Sequence, residues 1–221
     1  MVLPELRTLD LSECLHVSGA EIVKGLSAPE PRARLETLSL KSCTYIRPRL
    51  VTDEDLGVFR EQEGASLLVL RSLQDLDLSA CSKLTDSSIT QHVLRYPDLQ
   101  RLSLSMLPEI SDDSLASVAY HCRSLTSLEF SHCPRISDQG IARAAPYLAR
   151  LQHLYLSCSV NLCSHRSLSM LVQHCKRLRT LDISMCKYIS LTMVELLQSQ
   201  LPFIENVHCR FVGGADLTLL L

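Results

Sequence analysis

The sequence predicts an α/β solenoid, a curved horseshoe of about eight strand-turn-helix units with a parallel concave sheet. Three observations predict this fold class: an apolar frame returns at a nearly constant spacing, a helix-start signal follows each copy, and the 221-residue chain is 46% hydrophobic. A single unit is too short to bury its own apolar face, so the units must stack on one another to make a core. We expect one domain covering residues 1–221.

The repeated frame is Leu-x-x-Leu-x-Leu-x-x-Cys, and its first Leu sets each unit boundary. The units begin near Leu6, Leu35, Leu73, Leu99, Leu125, Leu151, Leu178 and Ile204. The last five steps are 26 or 27 residues long, and the first two are 29 and 38. Alternation in the x-Leu-x centre predicts one short strand per unit. The long second step indicates an insertion near 47–51 and before Leu73, which is either a recognition loop or a longer helix.

A hydroxyl residue four positions before an apolar residue marks the predicted start of each helix. These N-cap residues are Ser18, Thr52, Thr85, Ser111, Ser137, Ser164 and Ser190. Their hydroxyls suit the N-cap position, and the acids that directly follow four of them favour the positive end of a helix dipole. In five of the seven cases, 14 residues separate the cap from the next strand Leu.

Composition excludes several classes of function. The chain has 22 Lys and Arg against 24 Asp and Glu, a net charge of −2, which leaves no electrostatic footprint for nucleic acid or an anionic membrane. The N-terminus lacks a secretory signal, and no apolar stretch approaches the roughly 20 residues of a membrane span. We therefore expect a cytoplasmic or nuclear protein with no nucleic-acid or membrane partner.

The chain has ten cysteines, and five of them share the ninth position of the frame. These are Cys14, Cys43, Cys81, Cys133 and Cys186. Leu107 and Ser159 fill the same position in other units, so we interpret it as a slot for a small buried side chain rather than a chemical site. Without a secretory signal, the cysteines are expected to be reduced thiols.

Four His-Cys dipeptides suggest zinc, but they fall at different phases of the repeat. His132-Cys133 follows a strand, whereas His121-Cys122 and His174-Cys175 end helices. Ligands of one zinc ion lie within about 2.3 Å of it, so we predict no metal site. Gly-rich phosphate loops and nucleophile elbows are missing, and a solenoid sheet offers no enclosed pocket. We predict a protein that is not an enzyme and binds no cofactor.

The sequences of the repeats resemble those of a known family. The segment from His121 to Leu125 and the next one from Leu128 to Asp138 are similar to the cysteine-containing leucine-rich repeats of F-box/leucine-rich-repeat proteins. That resemblance implies a substrate receptor of an SCF (Skp1-cullin-F-box) ubiquitin ligase. Leu3-Pro4-Glu5-Leu6 fits the repeat rather than an F-box, so we expect no F-box in this chain. Skp1 and cullin become partners only if a longer form supplies one.

Binding is expected on the concave face, formed by the residues that alternate with the strand leucines. The predicted protein-binding residues are Asp77, Arg101, Glu129, His153, Tyr155 and Asp182. A solvated face without a binding role is the alternative. Lys41, Arg101 and Arg210 are units apart, so no basic cluster for a phosphorylated partner is evident.

Two functions therefore remain open. The first is a protein-interaction module that resembles the substrate-recognition part of an SCF ligase and binds a protein for ubiquitination. The second is a scaffold or inhibitor that binds a protein on the concave face without any link to ubiquitin.

Overall fold

The computed structural model describes residues 6–17, 35–43, 72–92, 96, 98–159, 161 and 165–212. Within these ranges, eight three-residue strands form one parallel sheet in chain order. They are β1 Thr8–Asp10, β2 Thr37–Ser39, β3 Asp75–Asp77, β4 Arg101–Ser103, β5 Ser127–Glu129, β6 His153–Tyr155, β7 Thr180–Asp182 and β8 Asn206–His208. Each strand lies on the x-Leu-x centre of a predicted unit, which confirms the predicted sheet.

The strands pair without any offset between units. Leu9 lies opposite Leu38, and the same pairing continues to Leu181 opposite Val207. The central leucines of β2 to β7 are at most 2% exposed and pack into one core that extends from Leu35 to Val212. In-register pairing thus places equivalent frame residues side by side, about 4.8 Å apart.

Five helices are described on the other side of the core. They are α1 Asp86–His92, α2 Asp112–His121, α3 Asp138–Ala144, α4 His165–His174 and α5 Leu191–Gln200, with a 3-10 turn at Ala145–Tyr147 after α3. The structure confirms Ser111, Ser137 and Ser190 as N-caps, because each side chain accepts a hydrogen bond from a backbone N–H of the first turn. Thr85 directly precedes α1, and its hydroxyl oxygen lies 3.5 Å from the backbone nitrogen of Ser88.

Parts of the prediction lie outside the described residues. These include the N-caps Ser18, Thr52 and Ser164 and the insertion within 44–71. In the described ranges, no helix is long and apolar enough to cross a bilayer. Among the same residues, no three His, Cys, Asp or Glu side chains come close enough together to hold a metal ion.

The acid that follows a cap also binds the next unit. The Asp86 carboxylate accepts hydrogen bonds from the Ser111 N–H at 2.9 Å, from the Ser111 hydroxyl at 2.7 Å and from the Ser114 hydroxyl. Asp112 binds Ser137 in the same way, at 2.7 and 2.5 Å. Burial acts to raise the pKa of Asp86, but the bonds from Ser114 and Ser111 outweigh it and lower that pKa.

The frame cysteines form a second series of contacts between units. Cys43, Cys81, Cys133 and Cys186 are fully buried, and Cys14 in the first unit is half-buried. Each buried thiol donates to the backbone oxygen of the last frame Leu of the preceding unit. The sulfur-to-oxygen distances are 3.1 Å to Leu11, 3.0 Å to Leu40, 3.2 Å to Leu104 and 3.4 Å to Leu156.

Burial keeps these thiols protonated. It raises the pKa of Cys81 to about 12 and the pKa of Cys133 and Cys186 to about 11. Ser159 occupies the equivalent slot in the sixth unit and is also fully buried. Its hydroxyl has no hydrogen-bond partner within the described part of the chain.

The residue before the frame cysteine adopts a left-handed backbone in all eight units. Its φ lies between 57° and 64°, and none of these residues is Gly. The positions are Glu13, Ser42, Ala80, Met106, His132, Cys158, Met185 and Phe211. A residue other than Gly in this conformation costs about 1–2 kcal/mol, so the packing around each turn must offset that cost.

Candidate functional site

Two columns of side chains cover the concave face. The first column is Thr8, Thr37, Asp75, Arg101, Ser127, His153, Thr180 and Asn206, and the second is Asp10, Ser39, Asp77, Ser103, Glu129, Tyr155, Asp182 and His208. All of them except Thr180 are at least partly exposed. The six predicted binding residues therefore lie on one surface, two in the first column and four in the second.

Strand alternation also places a third side chain of each unit, two positions after the second column, beside this face, and three of these side chains are buried. They are Ser79, Ser105 and Ser131, which are only 5–6% exposed. The hydroxyls of Ser79 and Ser105 bond to the neighbouring unit, and that of Ser79 lies 2.6 Å from the hydroxyl of the concave-face residue Ser103. Ser105, for example, accepts from the Ser131 N–H at 3.1 Å.

Acidic residues recur on every second strand of the second column. They are Asp10 on β1, Asp77 on β3, Glu129 on β5 and Asp182 on β7. Neighbouring strands lie about 4.8 Å apart, so successive carboxylates are separated by about 10 Å. We call these four residues the acidic row.

Three members of the acidic row also shape the turn that ends their strand. An Asp Oδ1 accepts the backbone N–H two residues later, at 2.8 Å for Asp10, 2.8 Å for Asp77 and 2.9 Å for Asp182. The hydroxyl and backbone N–H of Ser12 lower the pKa of Asp10. The threefold recurrence of Asp-Leu-Ser or Asp-Ile-Ser in the sequence is the signal that could have revealed this structural role.

Glu129 is held by a chain of hydroxyls from two neighbouring strands. The Ser103 hydroxyl donates to Glu129 Oε2 at 2.9 Å, and the Ser79 and Ser103 oxygens are 2.6 Å apart. Since Ser103 uses its only proton on Glu129, Ser79 must donate to Ser103. This chain fixes the carboxylate on the surface without adding a positive charge.

Arg101 does not offset the acidic row, because it already has a partner. Its Nε and Nη2 both lie 2.8 Å from Oδ2 of Asp75 on the adjacent strand. The pair is partly solvated, with 55% of the Arg101 and 27% of the Asp75 side chain exposed, so it contributes little to stability. It does cancel the charge of Arg101 locally.

Tyr155 is a bulky side chain in the same column as the acidic row. In-register pairing places it between Glu129 on β5 and Asp182 on β7. Its half-buried ring and the two flanking carboxylates together suit a cationic side chain, since an aromatic face and negative charges both attract one. His153 stands one column away on the same strand and is also half-buried.

Comparison with protein families agrees with this architecture. Residues 121–142 match the family described as Leucine Rich repeat. The fold is a leucine-rich-repeat solenoid. No curated protein matches the chain. Among solved structures, it is similar to a chain in the crystal structure of the Rad7 and Elc1 complex in yeast, with 16% identity and a TM-score of 0.42. The match covers 93% of this chain and 62% of that one.

The helical side of the leucine-rich-repeat solenoid carries features that the sequence did not predict. A groove of about 500 Å³ lies between α2 and α3 and is lined by Ala116, Tyr120, Ala142 and Tyr147 among others. A second groove of about 440 Å³ follows between α3 and α4. The small residues Ala116 on α2 and Ala142 on α3 line the first groove, and no sequence motif marks either groove.

Proposed function

We propose that the chain is a non-enzymatic protein-interaction module that binds a protein segment across the concave face. The position of Tyr155 between Glu129 and Asp182 is the observation that carries this proposal. Tyr is a frequent energetic anchor at protein interfaces. The flanking carboxylates add a preference for a cationic side chain of the partner, which an unselective surface would lack.

The charge of the face favours a basic partner. The acidic row stays negative, because Arg101 is paired with Asp75. A polyproline II segment has three residues per turn and rises about 3.1 Å per residue, so every third side chain lies on one face and advances about 9 Å, close to the spacing of the acidic row. A segment with Lys or Arg at every third position fits the face when it runs across the strands.

We further propose that this module is the substrate-recognition part of an SCF ubiquitin ligase. Support comes from the resemblance of the repeats to those of F-box/leucine-rich-repeat proteins. Under this proposal a longer form supplies the F-box that binds Skp1, and the concave face holds the protein to be ubiquitinated.

Affinity capture with paired charge reversals tests the interaction module. We compare the wild-type chain with Tyr155→Ala, Asp182→Lys and Glu195→Lys, where Glu195 is an exposed acid on α5 of the same repeat. Circular dichroism melts check that each variant is folded. A protein retained by the wild type and Glu195→Lys but lost with Tyr155→Ala and Asp182→Lys supports the concave face. Equal retention by all four chains contradicts it.

The ligase proposal needs a separate measurement on the captured protein. Depletion of the present protein should lengthen the half-life of a true substrate, and a longer form of the chain should recover Skp1. An unchanged half-life would refute the ubiquitin link and leave a scaffold or inhibitor.

A further inference from the structure

Four cations line the edge of the solenoid where the helices end and the next strands begin. They are Arg123, which follows α2, Arg150, which precedes β6, and Lys176 and Arg177, which follow α4. Each lies one or two positions before the first frame Leu, in three successive repeats, and all four are exposed. We call these residues the basic edge.

The members of the basic edge have no acidic partner among the described residues, which is also true of Arg166 and Arg210. Five arginines elsewhere in the described structure each form an ion pair with a carboxylate of a neighbouring repeat. These are Arg7, Arg101, Arg135, Arg143 and Arg179. No described carboxylate pairs with any member of the basic edge. Four exposed cations in three successive repeats, none with a carboxylate partner among the described residues, leave a surface that suits an external anion.

Aromatic residues continue this surface onto the helices. The Arg123 guanidinium lies 4.3 Å from the ring centre of Tyr147 and 5.0 Å from that of Tyr120. The two rings meet edge to face at 5.3 Å, and 36% of Tyr147 and 52% of Tyr120 remain exposed. Both tyrosines line the 500 Å³ groove between α2 and α3, so an apolar slot opens beside the cations.

We propose that the basic edge and the adjoining groove form a second binding surface, which takes an acidic protein segment with an apolar or aromatic side chain. The carboxylates of the segment contact Arg150, Lys176 and Arg177. Its apolar side chain enters the groove against Tyr120 and Tyr147, beside Arg123. This surface combines one edge of the solenoid with its helical side, is separate from the acidic row and does not depend on the function proposed for the concave face.

Two features favour an acidic protein segment over nucleic acid or a membrane. The four cations span three repeats, about 10 Å at the strand spacing, which is far shorter than a duplex footprint that neutralises many phosphates. The groove also selects an apolar side chain, which a phosphate backbone does not carry. Clusters of Arg and Lys are known to recognise acidic motifs in proteins.

Cations near helix C-termini also stabilise the helix dipole, by about 0.3–1 kcal/mol each. That role predicts an effect on melting temperature alone. The test must therefore measure binding and stability separately.

The experiment measures fluorescence anisotropy of a labelled peptide in which Glu residues flank a central Phe-Leu pair. The control is the same peptide with each Glu replaced by Gln. The whole chain should bind the Glu peptide at least about tenfold more tightly than the Gln peptide. Arg150→Glu and Arg177→Glu should each weaken binding about tenfold, and Tyr147→Ala should weaken it as well. Arg135→Glu has the same charge change at an ion-paired, exposed site and should leave binding unchanged, as should Asp182→Lys on the concave face.

Thermal melts accompany each variant, and Arg177→Gln replaces Arg177→Glu if the reversal unfolds the chain. Equal binding of both peptides would overturn the proposal, as would equal losses with Arg135→Glu and Arg177→Glu. Binding of duplex DNA or phosphatidylserine vesicles through the same residues, without binding of the Glu peptide, would also overturn it.

Discussion

The thiol of Cys133 donates a hydrogen bond to the backbone oxygen of Leu104, 3.2 Å away in the preceding repeat. The same bond joins three further pairs of units, from Cys43 to Leu11, from Cys81 to Leu40 and from Cys186 to Leu156. The units with Leu107 and Ser159 at the ninth frame position have no such thiol. The recurring cysteine is therefore a joint between repeats, which a Leu or Ser at the same position cannot reproduce.

Restoring this joint in the sixth repeat should stabilise the fold. Ser159→Cys replaces a buried hydroxyl that has no partner among the described residues with a thiol positioned to reach the backbone oxygen of Phe130. We expect a gain of about 1 kcal/mol and a rise in melting temperature of about 2–4 °C. Ser157→Cys, the same substitution outside the joint, is the control and should change little. A lower melting temperature for Ser159→Cys would contradict this role of the cysteine.

Removing the backbone strain of one left-handed turn should also raise the free energy of unfolding. Met185 has φ of 64° and is 48% exposed, so Met185→Gly removes strain while losing little packing. After the entropy cost of Gly, we expect a net gain of about 0.5–1 kcal/mol in the free energy of unfolding. Urea denaturation measures it. Ser184→Gly, one residue earlier in the same turn, should destabilise, and a loss for both variants would refute the strain argument.

Gly140 should resist replacement by Ala despite the helix propensity of Ala. A Cβ at Gly140 would overlap Oδ1 of Asp112, the carboxylate that binds Ser137. We expect Gly140→Ala to cost about 1–2 kcal/mol, and Asp112→Ala in the same chain to remove most of that cost. Gly140→Ser should cost less than Ala, since Ser114 at the equivalent position donates to Asp86. Denaturation of the full double-mutant cycle measures this coupling.

The contact between Asp86 and the next repeat should make stability fall in acid. The folded pKa of Asp86 lies below the ordinary value of 3.8, so its stabilisation is complete above that value and is lost as the pH falls through the lower folded pKa. Asp86→Asn should be less stable than wild type at about pH 5, and the gap should narrow below about pH 4. Urea midpoints measure the gap. Asp98→Asn, at an exposed acid, should show no such convergence.

The strand positions could be predicted because only one placement of the strands buries all the repeated leucines on the same side of the sheet. The concave columns followed from strand alternation, and Tyr155 and Glu129 lie where that alternation placed them. Alternation stops at the turn, however, so it could not show that Ser79 is buried. The left-handed turn had no marker, because residues such as Met106 and His132 rarely adopt it.

Ion pairing was beyond the reach of the sequence for another reason. Whether Arg101 pairs with Asp75, and whether Arg177 pairs with any described carboxylate, depends on side chains from different repeats that are 26 or more residues apart. Only the stacked structure shows which charges cancel and which remain exposed to a partner.

The bonds from Asp86 to Ser111 and from Asp112 to Ser137 use the same atoms at the same separation of 25 residues. Excision of Leu99–Ser124, one complete unit, would bring Asp86 to the same separation from Ser137 and join Asp98 to Leu125. The contact between one pair of adjacent units in this region can thus be replaced by the contact between the next pair. A gene for such a chain can gain or lose a whole unit and still encode matching joints, so the length of the binding surface can change in evolution without redesign of the core.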